Sequence, residues 1–422
     1  MTHSYMTTIG EIAEVFDGPH ATPKKLPSGP CFLSISSLDK GRLDLTKSAF
    51  LSEEDFKKWT KRVTPEKGDL LFYYETRLGE AALMPAGVRA CLGRRMGLLR
   101  FNKAKAMPEY VLYAYLSPAF QQTIKANTLT GATVDRLSIS EFPNFPIRIP
   151  PLEEQKKVAN LLGSIDKKIA LNNRINTELE AMAKTLYDYW FVQFDFPDAN
   201  GKPYKTSGGK MEYNATLKRE IPAGWNDSIL GKFIELDRGV TYSKEDVRTQ
   251  DDKDTIGILR ATNVTGNNVD IDDLVFIPSS RVNVNQMLNK FDILIVMSSG
   301  SKEHVGKNGV YYFEKKHAFG AFCSKITPVR KYRYFINTFL QSKWFKSYIN
   351  NQCLGTNINN LTNTHITNCE IICPTPDVVA LFENKMMPIY NKLASNTQEN
   401  SHLIQLRDWL LPLLMNGQVT VK

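Results

Sequence analysis

The stretch IPPLEEQKKVANLLGSIDKKIALNNRINTELEAMAKTLYDYWF, residues 149–191, decides the interpretation of this chain, because its pattern returns about 224 positions later. The second stretch, CPTPDVVALFENKMMPIYNKLASNTQENSHLIQLRDWLLPLLMNG, covers residues 373–417. Identity is low, but the apolar positions coincide in the pairs Val158 and Phe382, Ile165 and Ile389, Ile169 and Leu393, Leu179 and Leu403, and Leu186 and Leu410. This agreement indicates an internal duplication.

Both stretches have the seven-residue spacing of apolar side chains that is typical of coiled coils and helical bundles. In the first stretch one row is Val158, Ile165, Asn172, Leu179 and Leu186, and a second row is Leu161, Ile175 and Met182, interrupted at Lys168. In the second stretch the matching row is Phe382, Ile389, Asn396, Leu403 and Leu410, and the other row is poorer, with Leu406 near its end. We therefore predict two long helices that pack against each other, antiparallel if a twofold axis relates the copies.

We make further predictions for three residues of these helices. Asn172 and Asn396 occupy matching places, yet in an antiparallel pair they need not touch. Their shared position is either inherited from the duplication or fixes the register of the helices. Pro388 is expected to kink the second helix or to mark a local start. A helix of about 39 residues would span about 58 Å, the length of about 17 base pairs of DNA.

The segments before the two helices are predicted to be mixed α/β domains that repeat each other. TIGEIAEVFDG at 8–18 matches ILGKFIELDRG at 229–239, and GDLLF at 68–72 matches FDILIV at 291–296. Further on, SPAFQQTIKANTLTGATVDRLS at 117–138 matches SKWFKSYINNQCLGTNINNLT at 342–362. The predicted fold class is α+β, with two mixed α/β domains joined by two long antiparallel coiled-coil helices.

These matches predict five segments: a domain at 1–150, a helix at 151–193, a connector at 194–225, a second domain at 226–373 and a second helix at 374–422. The connector is rich in Gly, Pro, Asn and Lys and has no sustained helical or strand period, so we expect it to lie over the surface. Two similar domains in one chain suggest a ligand with two similar half-sites. Double-stranded DNA is the obvious candidate.

The composition is that of an ordinary globular protein with a modest basic excess. The 422 residues are 42% hydrophobic and 23% charged, and the formal net charge is +9. This charge fits a polyanionic partner without requiring one. The six cysteines are scattered, and no apolar run approaches the roughly 20 residues of a membrane helix. We therefore expect a reducing compartment, the cytoplasm.

Motifs that carry catalysis are missing from the sequence. It contains no GxGxxG, GxxxxGK[ST] or HExxH pattern, and the Asn-Pro-Pro-Tyr signature of methyltransferases is absent. The carboxylates of DLLFYYE at 69–75 lack the lysine pattern of nucleases, and the six histidines form no i, i+4 pair. We expect neither catalysis nor a metal bound by this chain.

Four features resemble the specificity subunits of type I restriction-modification enzymes. PIRIPPLEEQKKVANLLGSIDKKI at 146–169 closes a recognition domain and opens a spacer helix as in that family. TLTGATVDRLSISEF at 128–142 looks like the end of a target-recognition domain, and FPDANGKPYKTSGGKMEYNATLKREIPAGW at 196–225 is similar to the linker between halves. The half-length repeat is the fourth feature. The second copy departs from the family, because CPTPDVVALFE replaces the IPPLEEQ pattern.

The resemblance implies a non-catalytic subunit whose two target-recognition domains each contact one half of a split, asymmetric double-stranded DNA sequence. The antiparallel spacer helices would set the gap and dock two methyltransferase subunits, with restriction/translocase subunits outside them. Adenine methylation and ATP-dependent cleavage, together with S-adenosylmethionine, ATP and Mg²⁺, would belong to those partners. This chain itself would bind no cofactor.

Candidate DNA-binding residues lie in loops that follow the matching strands and in loops that precede the helices. They are Tyr74, Arg77, Arg94, Arg95, Thr133 and Arg136 in the first half, and Ser299, Ser301, Lys302, Lys307, Asn357 and Asn359 in the second. Arginine can form two hydrogen bonds to guanine, whereas lysine and serine more often hold phosphates. A solvated surface residue is the competing interpretation of each.

An assembly adaptor that holds two protein partners without contacting DNA is the alternative function. The long helices support either function. The basic loops in both domains favour DNA recognition, because an adaptor would not need them. A self-sufficient nuclease or methyltransferase is disfavoured by the missing motifs.

Overall fold

The computed structural model describes residues 5–39, 41–131, 134–352 and 359–422. The chain divides into two compact units. Unit 1 comprises Met1–Ala170 and His402–Lys422, and unit 2 comprises Leu171–Ser401. Each unit therefore combines one globular domain with parts of the two long helices.

Unit 1 contains a mixture of short strands and short helices ahead of the first long helix. Its strands are β1 (Tyr5–Thr8), β2 (Ala13–Asp17), β3 (Leu26–Phe32), β4 (Leu38–Asp39), β5 (Arg42–Leu43), β6 (Ala49–Phe50), β7 (Leu70–Tyr73), β8 (Ala81–Leu83), β9 (Ala90–Cys91), β10 (Met96–Phe101) and β11 (Pro146–Ile149). Its helices are α1 (Ile9–Ile12), α2 (Glu53–Trp59), α3 (Pro108–Leu116) and α4 (Pro118–Ala126), with 3-10 turns at Leu45–Lys47 and Phe142–Asn144. The long helix α5 (Leu152–Tyr187) starts in unit 1 and ends in unit 2 with a π-helical turn at Asp188–Val192.

The main sheet of unit 1 is antiparallel, with the strand order β2-β10-β7-β8. All four residues of β7 are buried. The strand is apolar throughout because it is covered on both faces, which leaves no exposed face for polar residues. Phe72 of this strand stacks on Phe142, with ring centroids 4.6 Å apart. Both rings belong to a core that includes Leu162 of α5. This core attaches the long helix to the sheet.

Unit 2 contains the second domain and begins within α5. Its strands are β12 (Met211–Asn214), β13 (Arg219–Pro222), β14 (Asn226–Ile229), β15 (Ile234–Arg238), β16 (Thr255–Leu259), β17 (Val264–Thr265), β18 (Asn268–Val269), β19 (Val275–Pro278), β20 (Ile293–Val296), β21 (Ser298–Ser299), β22 (Asn308–Val310), β23 (Ala318–Phe319), β24 (Cys323–Pro328), β25 (Asn359–Asn360) and β26 (Glu370–Cys373). Its helices are α6 (Arg333–Leu340), α7 (Lys343–Gln352), α8 (Asn363–Thr367) and α9 (Pro376–Met415), the last of which continues into unit 1. Short 3-10 turns lie at Leu230–Lys232, Lys244–Asp246, Ala261–Asn263, Ser279–Arg281, Val284–Gln286, Lys302–His304 and Arg330–Tyr332.

The second domain repeats the topology of the first. The order β15-β24-β20-β22 follows the same course as β2-β10-β7-β8, and it continues to β18 and β17. Strand β16 lies between antiparallel β19 and parallel β23, as β3 lies between β6 and β9. The helix pair α6 and α7 matches α3 and α4, and β14 pairs with β26 as β1 pairs with β11. The predicted duplication and fold class are thus confirmed.

The long helices are antiparallel within unit 1. Asp166 of α5 forms an ion pair with Arg407 of α9, with the Oδ1 and Nη1 atoms 3.0 Å apart. The earlier residue Leu162 of α5 shares a core with the later residue Leu414 of α9. Position along one helix rises as position along the other falls, as expected if a twofold axis relates the two copies.

Unit 2 shows the same antiparallel packing and places four buried asparagines between the helices. Asn172 donates its amide to Asn400 Oδ1 at 2.9 Å, and Asn396 donates to Asn176 Oδ1 at 2.8 Å. The sequence-matched pair Asn172 and Asn396 therefore bond to different partners, as expected for an antiparallel arrangement. That this layer fixes the register stays a prediction.

The second predicted row of packing residues is displaced by one position. The buried row is Leu162, Ile169, Asn176, Ala183 and Trp190 on α5, and Val379, Met386, Leu393, Asn400 and Leu414 on α9. Of the predicted residues, Val158, Ile165, Asn172, Phe382 and Asn396 are buried, and Leu161, Ile175, Leu179, Leu186, Ile389, Leu403 and Leu410 are half-buried. Met182 and Leu406 are 57% and 44% exposed. The heptad pattern predicted the wrong second row on α5, because the buried residues Asn176 and Ala183 are less apolar than their neighbours Ile175 and Met182.

The connector is more ordered than its composition indicates. Strands β12 and β13 form an antiparallel pair within it. Phe194, Phe196 and Trp225 are buried in the core of unit 2, and Phe196 stacks on Trp225 with centroids 4.9 Å apart. The middle of the connector lies over the surface as expected, since none of residues 197–220 is buried, but its two ends are anchored in the core. Irregularly spaced aromatic residues bury their rings without leaving a periodic pattern, so the sequence did not predict this anchoring.

Pro388 lies inside α9, which runs without interruption from Pro376 to Met415. The expected local start is therefore absent at this position. A proline removes one intrahelical hydrogen bond, and the packed face of a long helix can offset that loss.

Candidate nucleic-acid interface

Three loops converge at one end of the main sheet of unit 1. They comprise residues 74–77 after β7, 92–95 before β10, and 134–137; we call this set the first tip. Tyr74 joins the loops. Its N–H donates to the Arg95 carbonyl at 3.2 Å, its hydroxyl donates to the Arg94 carbonyl at 2.6 Å, and its carbonyl accepts from the Leu137 N–H at 2.8 Å. Because backbone atoms hold the first tip together, its outward side chains can vary without loss of the framework.

Arginine side chains give the first tip its positive charge. Arg94 and Arg136 are exposed. Arg95 Nε lies 3.1 Å from Glu75 Oε2, and its Nη1 donates to Thr76 Oγ1 at 3.1 Å. These two contacts hold the Arg95 guanidinium over the loop, where a planar group with several N–H donors suits phosphate or guanine.

The backbone at Thr76 turns the first loop. Its φ of 71° lies in the left-handed region, which non-glycine residues rarely adopt. The Thr76 N–H donates to the Asp135 carbonyl at 3.2 Å, which fixes the turn against the third loop. Strained backbone of this kind persists where surrounding contacts over-determine it, often at binding sites.

Two of the predicted DNA-binding residues of the first half are engaged by contacts within the domain. Tyr74 is only 4% exposed, and burial raises the pKa of its hydroxyl to about 12. Arg77 donates from Nη1 to the Ile35 carbonyl at 3.2 Å, and its guanidinium lies over the Tyr73 ring. Tyr74 therefore supports the loops from within, whereas Arg77 is tied to the domain by these contacts and keeps 37% of its side chain exposed. Sequence could not show this, because the direction of a loop side chain depends on contacts distant in sequence.

Unit 2 builds the same framework from other side chains. Residues 297–299 after β20, 320–323 around the start of β24, and 359–361 form what we call the second tip. Met297 takes the place of Tyr74: its N–H donates to the Phe322 carbonyl and its carbonyl accepts from the Leu361 N–H, both at 2.8 Å. Strand β21 pairs with β25, with Ser298 opposite Asn360. The backbone geometry of the two tips therefore agrees.

The predicted residues of the second half are small or separated from one another. The half-buried Ser299 accepts the Ser301 N–H at 3.2 Å. Ser301 and Lys307 are exposed, and Lys307 borders a wide groove that is also lined by Lys346 and Asn350. The side chains of Lys302 and Asn359, and the residues Thr133 and Asn357, lie outside the described parts of the chain.

Phe322 is the residue of the second tip that the sequence analysis missed. It is 69% exposed. The repeat places Phe322 where Arg95 stands in the first tip, and Ala321 where Arg94 stands. The available signal was the match between Gly93 and Gly320 just before strands β10 and β24. An exposed phenylalanine can contact a thymine methyl group or a base face.

Within the described residues, no group of three or more His, Cys, Asp or Glu is arranged to hold a metal ion. The buried His317 shares a hydrogen bond of 2.6 Å with the Tyr311 hydroxyl, and burial lowers its pKa to about 4. That histidine is a core residue. In the part of the chain that the structure describes, no helix combines the length and the apolar character needed to cross a membrane.

Comparison with known proteins relates these features to one family. Residues 6–181 match the model of the type I restriction modification DNA specificity domain. The type I restriction enzyme MjaIX specificity subunit of Methanocaldococcus jannaschii is 25% identical over 408 residues, covering 96% of this chain and 88% of that protein. The EcoKI specificity subunit of Escherichia coli is 30% identical over 208 residues, covering 48% of this chain and 45% of that protein.

A solved structure shares the fold. The type I restriction-modification S subunit from M. genitalium superposes with a TM-score of 0.54 at 15% identity, covering 98% of this chain and 96% of that chain. The likeness extends over both domains and both long helices.

Proposed function

The chain belongs to the specificity subunits of type I restriction-modification enzymes, and we propose that it recognises a bipartite, asymmetric sequence of double-stranded DNA and docks two methyltransferase subunits. Specificity subunits are not catalytic; the catalytic activities belong to partner subunits. In the proposed complex those partners use S-adenosylmethionine, ATP and Mg²⁺, and restriction/translocase subunits join through the methyltransferases. The proposed site of action is the cytoplasm.

The observation that carries the proposal is the contrast between the two tips. Both have the same backbone framework, but the first presents Arg94, Arg95 and Arg136, whereas the second presents Phe322 and Asn360. A shared framework with different side chains suits two different half-site sequences of DNA, which we call the first and second words of the target. Arginine would contact guanine or phosphate, and phenylalanine would contact a thymine methyl group or a base face.

The long helices supply the proposed spacing. Helix α5 has 36 residues and α9 has 40. At about 1.5 Å per residue, helices of this size are about 54 to 60 Å long. A rigid element of that length would fix the number of unread base pairs between the two words.

Exposed apolar residues on the helices are the proposed contacts for the methyltransferase subunits. Met182 in unit 2 and Leu406 in unit 1 occupy equivalent positions of the repeat, and both are exposed instead of packed. Trp409, three residues after Leu406, is 63% exposed. Equivalent apolar positions in each unit suit two copies of one partner, because a repeat offers the same contact twice.

Methylation mapping tests the proposed function. The chain is co-expressed with the methyltransferase subunit encoded beside it, and modified adenines are mapped in total DNA. We expect one split motif with two words and a constant gap. An unmodified genome in cells where the assembled complex is recovered would favour the adaptor function, and a continuous motif would contradict the bipartite target.

A further inference from the structure

Unit 2 contains a cavity between helix α5 and the second domain. Its volume is about 230 Å³. The residues that line it and matter here are Glu180, Ala183, Tyr312, Thr338, Gln341 and Tyr390. The floor is aromatic and buried, since Tyr312 and Tyr390 are almost fully covered. A partly enclosed space of this size, with both polar and apolar walls, is large enough for a small organic ion.

The matching position of unit 1 is filled by a guanidinium group. There the Tyr113 hydroxyl donates to Asp166 Oδ2 at 2.6 Å, and Arg407 Nη1 lies 3.0 Å from Asp166 Oδ1. The Arg407 guanidinium also contacts Asp408 at 2.9 Å. A carboxylate, a tyrosine hydroxyl and a guanidinium thus form one compact cluster.

The residues of unit 2 that correspond to this cluster line the cavity. At spacings of 224 to 225 positions, Tyr113 corresponds to Thr338, Asp166 to Tyr390, and Arg407 to Ala183. The first contact is preserved, because the Thr338 and Tyr390 hydroxyl groups share a hydrogen bond of 3.1 Å. The arginine is not preserved, and its replacement by Ala183 leaves the space that its side chain fills in unit 1.

The cavity of unit 2 keeps an acidic group. Glu180 lies one helical turn before Ala183 and lines the same space. Its carboxylate accepts the Asn267 amide at 2.8 Å and the Asn268 amide at 3.3 Å. Lys184 also lines the cavity, but its ammonium group forms an ion pair with Asp188. The hydrogen-bond partners that the described residues give Glu180 are therefore neutral amides.

Burial makes the charge of Glu180 costly without a counter-ion. Desolvation raises the pKa of its carboxyl group, and the two amide hydrogen bonds offset this only in part. A cation bound beside it would lower that cost, since an opposite charge favours the ionised carboxylate. The rings of Tyr312 and Tyr390 can add cation–π attraction, which is strongest for desolvated cations.

We propose that this cavity binds a guanidinium group, with Glu180 as its carboxylate partner and Tyr390 as a hydroxyl and ring contact. The group comes either from a free small molecule or from an arginine side chain that a partner subunit inserts. In both cases a guanidinium group from another molecule would take the role that the Arg407 side chain has in unit 1. The proposal does not depend on which DNA sequence the chain recognises.

The test uses the purified full-length chain and two probes of nearly equal shape, the ethylguanidinium cation and neutral ethylurea. Calorimetric titration is expected to show saturable binding of ethylguanidinium and none of ethylurea. Glu180→Gln should weaken binding roughly tenfold or more, in keeping with the loss of one charge-assisted hydrogen-bonded pair. Glu178→Gln, an exposed change on the same helix, should leave binding unchanged.

Two further variants keep the result interpretable. Ala183→Arg should fill the cavity, raise the melting temperature and abolish probe binding. Arg407→Ala should open a second site in unit 1, so that two equivalents of ethylguanidinium bind. Absence of saturable binding to the wild-type chain, equal binding of ethylurea, or binding to Arg407→Ala alone would each overturn the proposal.

The source of the guanidinium is resolved with the assembled methyltransferase complex. If a partner arginine occupies the cavity, complex formation blocks ethylguanidinium and Ala183→Arg weakens assembly. If the ligand is a free molecule, the complex still binds the probe with the affinity of the isolated chain. Both results support the site, and they do not depend on any DNA-binding measurement.

Discussion

The two tips share a framework and differ in chemistry. Tyr74 in the first and Met297 in the second make the same pair of backbone hydrogen bonds, to the residue before a strand and to the leucine after the third loop. Around these bonds Arg95 is replaced by Phe322. The comparison teaches that backbone contacts define the shared framework of the tips, so that side chains can change without a change of fold.

The largest expected effect concerns the shared framework. Phe382→Ala removes a fully buried ring that lies 4.8 Å from Phe191 and 5.6 Å from Trp190. We expect a loss of about 3 to 5 kcal/mol in the unfolding free energy of unit 2. The matched change Val158→Ala in unit 1 should cost about 2 kcal/mol, because fewer buried methyl groups are removed.

Hydrogen exchange, followed by mass spectrometry, measures this difference unit by unit. Faster exchange confined to residues of unit 2 in Phe382→Ala is the expected result. Equal acceleration in both units would show that they unfold as one cooperative body and would remove the basis for comparing them separately.

The asparagine layer of unit 2 gives the next largest effect. Asn172→Leu leaves the Asn400 carbonyl oxygen without the 2.9 Å hydrogen bond and should destabilise the chain by about 1 to 3 kcal/mol. The double variant Asn172→Leu with Asn400→Leu should recover part of that loss, since the two bonded amides are removed together, while Glu399 Oε2 and Asn173 Oδ1 each lose one amide donor. Denaturant titration of the wild type, both single variants and the double variant measures the coupling. If the double variant keeps its stability and still assembles with normal stoichiometry, the register hypothesis fails.

Arg95→Ala tests the basic character of the first tip. It should weaken binding of the assembled complex to target DNA by about 1 to 3 kcal/mol if the guanidinium contacts a base. The loss should appear only on duplexes with the correct first word. Glu75→Gln serves as the control, because it removes the ion pair but keeps the arginine. A uniform loss on all duplexes, with a shallower salt dependence, would indicate a phosphate contact instead.

Phe322→Ala tests the apolar character of the second tip. We expect a smaller loss, about 1 kcal/mol, limited to duplexes with the correct second word. The slope of affinity against salt should not change, because no charge is removed. Phe322→Arg should steepen that slope and relax the second word. Binding of Phe322→Ala equal to wild type on every duplex would exclude Phe322 from the interface.

A final, smaller contrast concerns the side chain in each unit that accepts hydrogen bonds from backbone N–H groups at the start of the helix that follows the main sheet. In unit 1 the amide oxygen of Gln155 accepts the Met107 N–H at 2.8 Å. In unit 2 the Glu383 carboxylate accepts the N–H groups of Tyr334 and Phe335 at 3.1 and 2.8 Å. Burial raises the pKa of Glu383 to about 7 despite these two bonds.

The direction of the pH effect follows from that pKa. The fold favours the protonated acid, so the contribution of Glu383 to stability is complete below pH 4.5 and is lost as pH rises through about 7. We expect the melting temperature of unit 2 to fall by a few degrees over this interval, and Glu383→Gln to flatten the dependence. A rise in melting temperature over the same interval in the wild type, absent in Glu383→Gln, would show that the ionised carboxylate is the stabilising form.

Several elements could be predicted from the sequence because they depend on local periodicity. The row Val158, Ile165 and Asn172 is buried as its seven-residue spacing predicts. The strand at Leu70–Tyr73 is apolar throughout and lies inside the sheet. Side chains that face a core repeat at the period of the backbone, so these features appear in the chain itself.

The direction of the loop side chains could not be predicted. Tyr74, Arg77 and Arg95 lie close together in the first tip or behind it, yet Tyr74 turns inward toward residue 94 and Arg77 is hydrogen-bonded to the carbonyl of residue 35. The exposure of Phe322 was not predicted, because a phenylalanine next to a strand usually belongs to a core. Loop directions depend on partners brought close by the fold, which no spacing rule contains.

The sequence by itself determined the duplication, the two long helices and the resemblance to one family. Those features depend on the pattern of apolar residues and on matched motifs. Only the tertiary structure decided which second row of each helix is buried, which tip residues face outward, and that a cavity lies beside Ala183, the counterpart of Arg407. These outcomes depend on contacts between segments that lie far apart along the chain, so they exist only after the chain has folded.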